Sequence, residues 1–358
     1  MKTNLIFLVY GVFGIVYGVR IDGWWHYAFG RNEFWITPHM IIALSVGSCM
    51  FFGWRSFQLS SGMEKRERSA LKLFCMLIFG IFAIGVVWDQ VWHTFIGLET
   101  LDSIWLTLGP AHVLQKVFFL LATGTVFPVV KKYAGNFYSL LLLVSGYIMA
   151  WESLALPFKS FGGMRVLGSY GEFFLAFILI GAFILAKRLL DKNFSEGGSL
   201  IIAGISLALI YVGISSRVAP GLRITPLPPV PNWLVGLSFF TCAASIDFYW
   251  ERLKQNPLVL GSIAGVCYGC ILAPLAKIFL QYFDVHFSWT YVAEVILSSM
   301  LGGGLAATLA NQCTEERLWK LSEATFVRKI VLISTCFIFA TSALFFILQA
   351  SGIISYGI

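Results

Sequence analysis

The chain has 358 residues, 58% of them apolar and only 12% charged, with a formal net charge of +7 and a mean hydropathy of +0.81. Soluble domains carry about twice that charged fraction, which excludes a soluble globular enzyme. The long unbroken apolar runs exclude a β-barrel, whose strands alternate apolar and polar residues.

The fold class expected is all-α: a polytopic transmembrane helical bundle embedded in the lipid bilayer. Eleven spans are expected, near residues 4–26, 38–58, 70–95, 110–130, 137–156, 170–190, 198–217, 232–252, 257–282, 290–311 and 329–350. One set of loops carries Lys2, the Arg55–Lys72 stretch, Lys131/Lys132, Lys187/Arg188/Lys192, Arg252/Lys254 and the Arg317–Lys329 stretch. The other set carries only Arg20, Arg31, Lys159, Arg165, Arg217 and Arg223. The richer side is cytoplasmic by the positive-inside rule, so the N-terminus is inside and the C-terminus outside. The positive charge therefore reports orientation, and no nucleic-acid partner is expected. The first segment lacks a small-residue cleavage site and reads as a retained anchor in the cytoplasmic (inner) membrane.

Taken in chain order, the first span ends in Asp22, Trp24, Trp25 and His26, and the second opens with Thr37-Pro38-His39. Asp22 and His26 are four apart and share one helix face. Thr37 can cap the second helix, and Pro38 suits its first turn. The third span ends in Asp89, Trp92 and His93, and the fourth opens with Pro110-Ala111-His112. Asp22, Trp25 and His26 thus recur 67 positions later, and four of the five histidines fall in the two units. The duplicated hairpin region is expected to occupy residues 1–136, with a seven-span region of unknown role over 137–358. All six Asp and His residues lie at the outer helix ends, joined there by Glu152 of the fifth span.

Each hairpin offers two imidazoles and a carboxylate, which leaves an open coordination position. That donor set suits copper, non-haem iron or catalytic zinc. Imidazole-rich sites favour copper by intrinsic affinity, and an outward-facing site meets it outside the reducing cytosol. The metal-ligating candidates are Asp22, His26, His39, Asp89, His93, His112 and Glu152, with Asp22, His26 and His39 as the catalytic set. The bland alternative is that the Trp and His residues are interfacial anchors.

The C-terminal region is less informative. Glu172, Asp284, His286 and Glu294 lie near outer helix ends, and Lys277 lies within a span. Asp247-Phe-Tyr-Trp-Glu251 echoes the Asp-x-x-Trp pattern on the cytoplasmic side, without His, and reads as coincidence. The proline-rich stretch Arg217–Pro231 reads as a stiff outer connector. Gly302–Gly304 permits close helix approach, and the CxxC at Cys267 and Cys270 sits in an apolar run without a redox fold.

The segment Asp22-x-x-Trp25-His26, Arg31-Asn32, Phe34, Thr37-Pro38-His39 resembles the metal-site segment of the third, metal-holding membrane polypeptide of particulate methane monooxygenase and ammonia monooxygenase. The second unit, Asp89-x-x-x-His93-Thr94-Phe95, Glu99 and Pro110-Ala111-His112, is similar to the next segment of that same polypeptide. Here Pro38 and His39 are adjacent where the family has a residue between them. The second unit opens with Asp in place of Asn, and its connector is longer. The likeness covers roughly residues 1–130. It implies one copper site at Asp22/His26/His39 and a second at Asp89/His93/His112.

Two functions follow as expectations. The first is a copper-dependent membrane monooxygenase, or a subunit of one, oxidising a small apolar substrate (hydrocarbon- or ammonia-like) with O2. It would draw electrons from a quinol or a protein donor and associate with other membrane subunits or with copies of itself. The second is a non-catalytic copper or zinc carrier, sensor or assembly factor. A transporter is disfavoured because the inner halves of the spans read as nearly all apolar.

Overall fold

The computed structural model describes residues 1–29, 36–88, 110–154, 168–191, 198–204, 232–281 and 288–350. Among them the regular structure is all helical: α1 (Lys2–Phe29), α2 (Thr37–Gln58), α3 (Lys65–Phe82) with a π-helical turn (Ala83–Trp88), α4 (Pro110–Tyr133), α5 (Asn136–Leu154), α6 (Gly168–Leu189), α7 (Asn232–Leu253), α8 (Pro257–Gln281), α9 (Trp289–Gln312), α10 (Glu315–Glu323) and α11 (Thr325–Ala350). Residues 198–204 are also helical. Six helices among the described residues, α1, α2, α3, α4, α8 and α9, are long and apolar enough to cross a membrane. The chain is read accordingly as a membrane protein.

The chain forms two compact units. The first comprises Met1–Val19, Arg31–Leu142 and Glu316–Ile358; the second comprises Arg20–Gly30 and Leu143–Glu315.

In the first unit, α1 and α2 pack through glycines. A Cβ on Gly11 would meet Cys49 Sγ at 2.7 Å, and one on Gly18 would meet Ile42 Cγ1 at 2.6 Å; one on Gly14 would overlap the Ser45 hydroxyl. Small residues let helix backbones approach where lipid supplies no hydrophobic drive for association. The α3–α4 pair repeats the device. A Cβ on Gly80 would meet the Phe118 ring at 2.5 Å, and one on Gly85, in the π-turn, would meet Gln115 Nε2 at 2.8 Å. Between α4 and α5, Gly135 takes φ +100°, and its N–H and that of Ala134 both return to the Val130 carbonyl. A left-handed residue closes the helix end in this way, and glycine adopts it without strain.

In the second unit, α8 and α9 pack most tightly, with α6 against α9 and α7 against α8. Gly302, Gly303 and Gly304 line this contact: a Cβ on Gly302 would fall on the Phe173 carbonyl, and one on Gly304 would stand 2.6 Å from Ser262 Oγ. Leu297, Leu301, Leu305 and Leu309 of α9 are exposed at four-residue spacing. The same helix therefore separates a small-residue packing face from a leucine stripe suited to lipid.

Two expectations need correction. The cap position of α2 falls on Ile36 (φ −99°, ψ 159°), not on Thr37, which is the first helical residue. The segment between α9 and α11, expected as a charged loop, contains α10. Its sequence Glu-Glu-Arg-Leu-Trp-Lys-Leu-Ser-Glu is amphipathic, and Trp319 is buried with the Arg66 guanidinium 5.1 Å from its ring centre.

Candidate metal centre and the buried polar clusters

The candidate ligands are distributed as follows. Asp22 and His26 lie on α1, which is continuous to Phe29, and both belong to the second unit; Asp22 is half-buried. His39 and His112 belong to the first unit, are half-buried, and each stand third in a helix that opens with proline in its first two positions. Thr37-Pro38-His39 and Pro110-Ala111-His112 are therefore equivalent helix starts, because proline loses nothing where the N–H has no helical acceptor. Asp22, Trp25, His39 and His112 all take part in interactions within the fold. Asp89 and His93 lie outside the described residues, as do the side chains of His26 and Glu152; so do Glu99, Asp284, His286 and the Arg217–Pro231 connector. Among the described residues no three His, Cys, Asp or Glu side chains converge as a metal-holding group.

The π-turn Ala83–Trp88 runs directly into Asp89. Such wide turns are rare and concentrate at functional sites, because they change the phase of the residues that follow. Nothing in the local sequence Ala-Ile-Gly-Val-Val-Trp marks a π-turn apart from Gly85.

Three buried polar clusters lie elsewhere. In the first unit, Glu67 at the start of α3 is fully buried. It accepts hydrogen bonds from Lys132 Nζ, from Tyr133 Oη at 2.9 Å and from the Glu64 backbone N–H at 3.0 Å. The last bond belongs to a capping box that fixes the helix start. Glu64 is itself held by Lys132 at 2.9 Å and Arg66 at 2.8 Å. The Lys132 hydrogen bond holds the Glu64 carboxyl below the ordinary glutamate value; partial desolvation opposes this and the Arg66 charge adds to it. Nearby, Arg328 reaches Ser69 at 3.0 Å and the Ser322 carbonyl at 2.6 Å, tying α11 to α3 and α10.

In the second unit, the fully buried Tyr268 donates to Glu172 Oε2 at 2.7 Å. Lys277, expected either to reach the surface or to meet an acid, is buried with its ammonium 5.2 Å from the Trp289 ring centre, a cation–π placement. Lys187 pairs with Asp247. This last contact corrects two readings: Asp247 has a tertiary partner, and the inner halves of the spans are not uniformly apolar. Sequence spacing could not have found the pair, since its members lie on separate helices. An ionisable residue within an apolar run was the available signal.

Compared with known protein families, with characterised proteins and with solved structures, the chain matches none.

Proposed function

We propose that the chain is an integral membrane copper protein whose duplicated N-terminal hairpins hold metal towards the extracytoplasmic face of an eleven-span bundle. In this reading it is a copper-dependent monooxygenase, or a subunit of one, acting on a small apolar substrate with O2.

The observation that carries the reading is a matched pair of helix contacts. In the first hairpin Gly18 faces Ile42; in the second Gly85 faces Gln115. Gly85 follows Gly18 by 67 positions, the offset that also separates Asp22 from Asp89. Gln115 follows Ile42 by 73, the offset from His39 to His112. In both units the carboxylate stands four residues after the glycine, and the second histidine three residues before the facing side chain. Each is about one helical turn further towards the same end. A repeat of sequence thus coincides with a repeat of helix pairing, as a duplicated metal hairpin requires. Interfacial anchoring alone demands no such register.

The donor set fits the metal: neutral imidazoles and one carboxylate satisfy a divalent ion and leave room for another ligand. When bound, copper would supply the reductive activation of O2. Asp22 would offset part of the ion's charge and orient the adjoining imidazoles, as ligating and supporting carboxylates do. Trp24 and Trp25 would restrict water near an apolar substrate. One oxygen atom enters the substrate and the other leaves as water, with the electrons and protons taken from a quinol or a protein donor.

Copper-loaded membranes supplied with a quinol are expected to take up O2 in proportion to added short-chain hydrocarbon or ammonia, and the paired His26→Ala/His39→Ala variant to lose that uptake. Copper binding without substrate-dependent uptake would remove the oxygenase assignment and leave a metal carrier, sensor or assembly factor.

A further inference from the structure

The metal reading makes no use of the buried ion pair in the second unit. Lys187 on α6 has 4% of its side chain exposed and lies 2.5 Å from Oδ1 of Asp247 on α7, itself 19% exposed. Ser199, fully buried in the helical stretch 198–204, donates to the same Oδ1 at 3.1 Å. Asp247 Oδ2 is also buried and accepts no hydrogen bond. Both donors therefore converge on one oxygen, and the other is left bare.

An ionised carboxylate has acceptor sites on both oxygens. A static clamp in a low-dielectric setting is expected to fill both, because a buried unsatisfied oxygen is costly. The bidentate fork of arginine would do so; the point charge of lysine does not. Basic side chains nearby have other contacts. Arg188 donates to Asn311 at 2.8 Å, Lys254 pairs with Glu251 at 2.6 Å, and Arg252 lies over the Phe248 ring. Lys187 is thus a flexible, single-point counter-ion on a carboxylate with coordination capacity to spare.

We propose that Asp247 and Ser199 form a binding site for a small monovalent inorganic cation, with Lys187 as the tethered cation that occupies the carboxylate until the free ion displaces it. Two carboxylate oxygens and a hydroxyl are hard ligands suited to such an ion. Charge selects the valence. One carboxylate beside a retained lysine balances a single positive charge, whereas a divalent ion would add its second charge to that of Lys187. The site is independent of copper, so it stands or falls separately from the oxygenase reading.

The test uses the full chain in lipid nanodiscs at fixed pH and constant ionic strength. Tryptophan fluorescence is followed as NaCl or KCl replaces choline chloride; Trp250 lies one turn from Asp247 on α7. A saturable response to Na+ or K+, absent with choline and with Asp247→Asn, is expected. Lys187→Gln should tighten the apparent affinity at least tenfold, because the internal competitor is gone. No response in the wild type, an equal response to choline, or an unchanged or weakened affinity in Lys187→Gln would overturn the proposal. A gain of affinity cannot arise from misfolding, so the lysine variant decides the matter if Asp247→Asn fails to fold.

Discussion

Gly265→Leu is expected to abolish the folded second unit. Gly261, Gly265 and Gly269 stand four apart on α8 and present one face to α9. A Cβ on Gly265 would fall on the Ser299 carbonyl and 2.9 Å from Met300 Cα; one on Gly269 would lie 2.9 Å from Ile296 Cα. A Cβ on Gly261 would meet the Gly303 carbonyl, and one on Gly303 would meet the Gly261 carbonyl in return. These obstacles are backbone, which cannot rotate away as a side chain can. Overpacking into yielding surroundings costs about 1–3 kcal/mol; against a fixed backbone the cost of a leucine belongs at or above the top of that range. Thermal unfolding in detergent should show a midpoint lowered by roughly 10 °C or more, or no monodisperse protein. Gly47→Ala is the matched control. A Cβ there meets nothing within 4 Å, and the variant should match the wild type or gain up to about 1 kcal/mol from helix propensity. A wild-type midpoint for Gly265→Leu would contradict the packing described.

Glu67→Ala is the second large effect expected, at about 3 kcal/mol. The carboxylate is fully buried, and its loss strands the Lys132 ammonium and the Tyr133 hydroxyl while removing half of a capping box. Glu67→Gln preserves the shape and should cost less. The neighbouring Glu64 adds a pH dependence whose sign is fixed. Its folded-state carboxyl is held below the ordinary value of 4.5, so its contribution is present above that pH and is lost as pH falls through the lower, folded value. Thermal midpoints measured downward from pH 6 should fall less steeply in Glu64→Gln than in the wild type. Identical slopes would show that the Lys132 contact has no energetic weight.

The apolar runs made the helices legible because a span needs length and little else. The expected 38–58 and 257–282 lie within two residues of α2 and α8 at both ends. Helix starts were less so. The third helix begins at Lys65, inside the charged stretch, because Glu64 and Glu67 form a capping box. α10 escaped notice because nine amphipathic residues carry too little apolar signal to separate them from a charged loop. The Gly261/Gly265/Gly269 spacing is a sequence signal for close helix packing in its own right, although only Gly302–Gly304 announced themselves. Of the candidate metal centre, the residue types and their 67-residue repeat were legible. What the sequence could not contain is the register of one helix on another: that Gly18 meets Ile42 and Gly85 meets Gln115 depends on side-chain packing across each hairpin. The Lys187–Asp247 pair was invisible for the same reason, since only the fold brings α6 and α7 together.

The most direct test of the central claim is the metal content of the full chain, purified in detergent and loaded with copper, read by elemental analysis together with Cu(II) EPR. Wild type should hold copper with nitrogen hyperfine structure. His26→Ala/His39→Ala and His93→Ala/His112→Ala should each remove about half of it, as two separate imidazole sites require. A chain that takes up no copper, or whose copper is unchanged in both double variants, would contradict the duplicated metal hairpin and leave its histidines and tryptophans as anchors at the membrane interface.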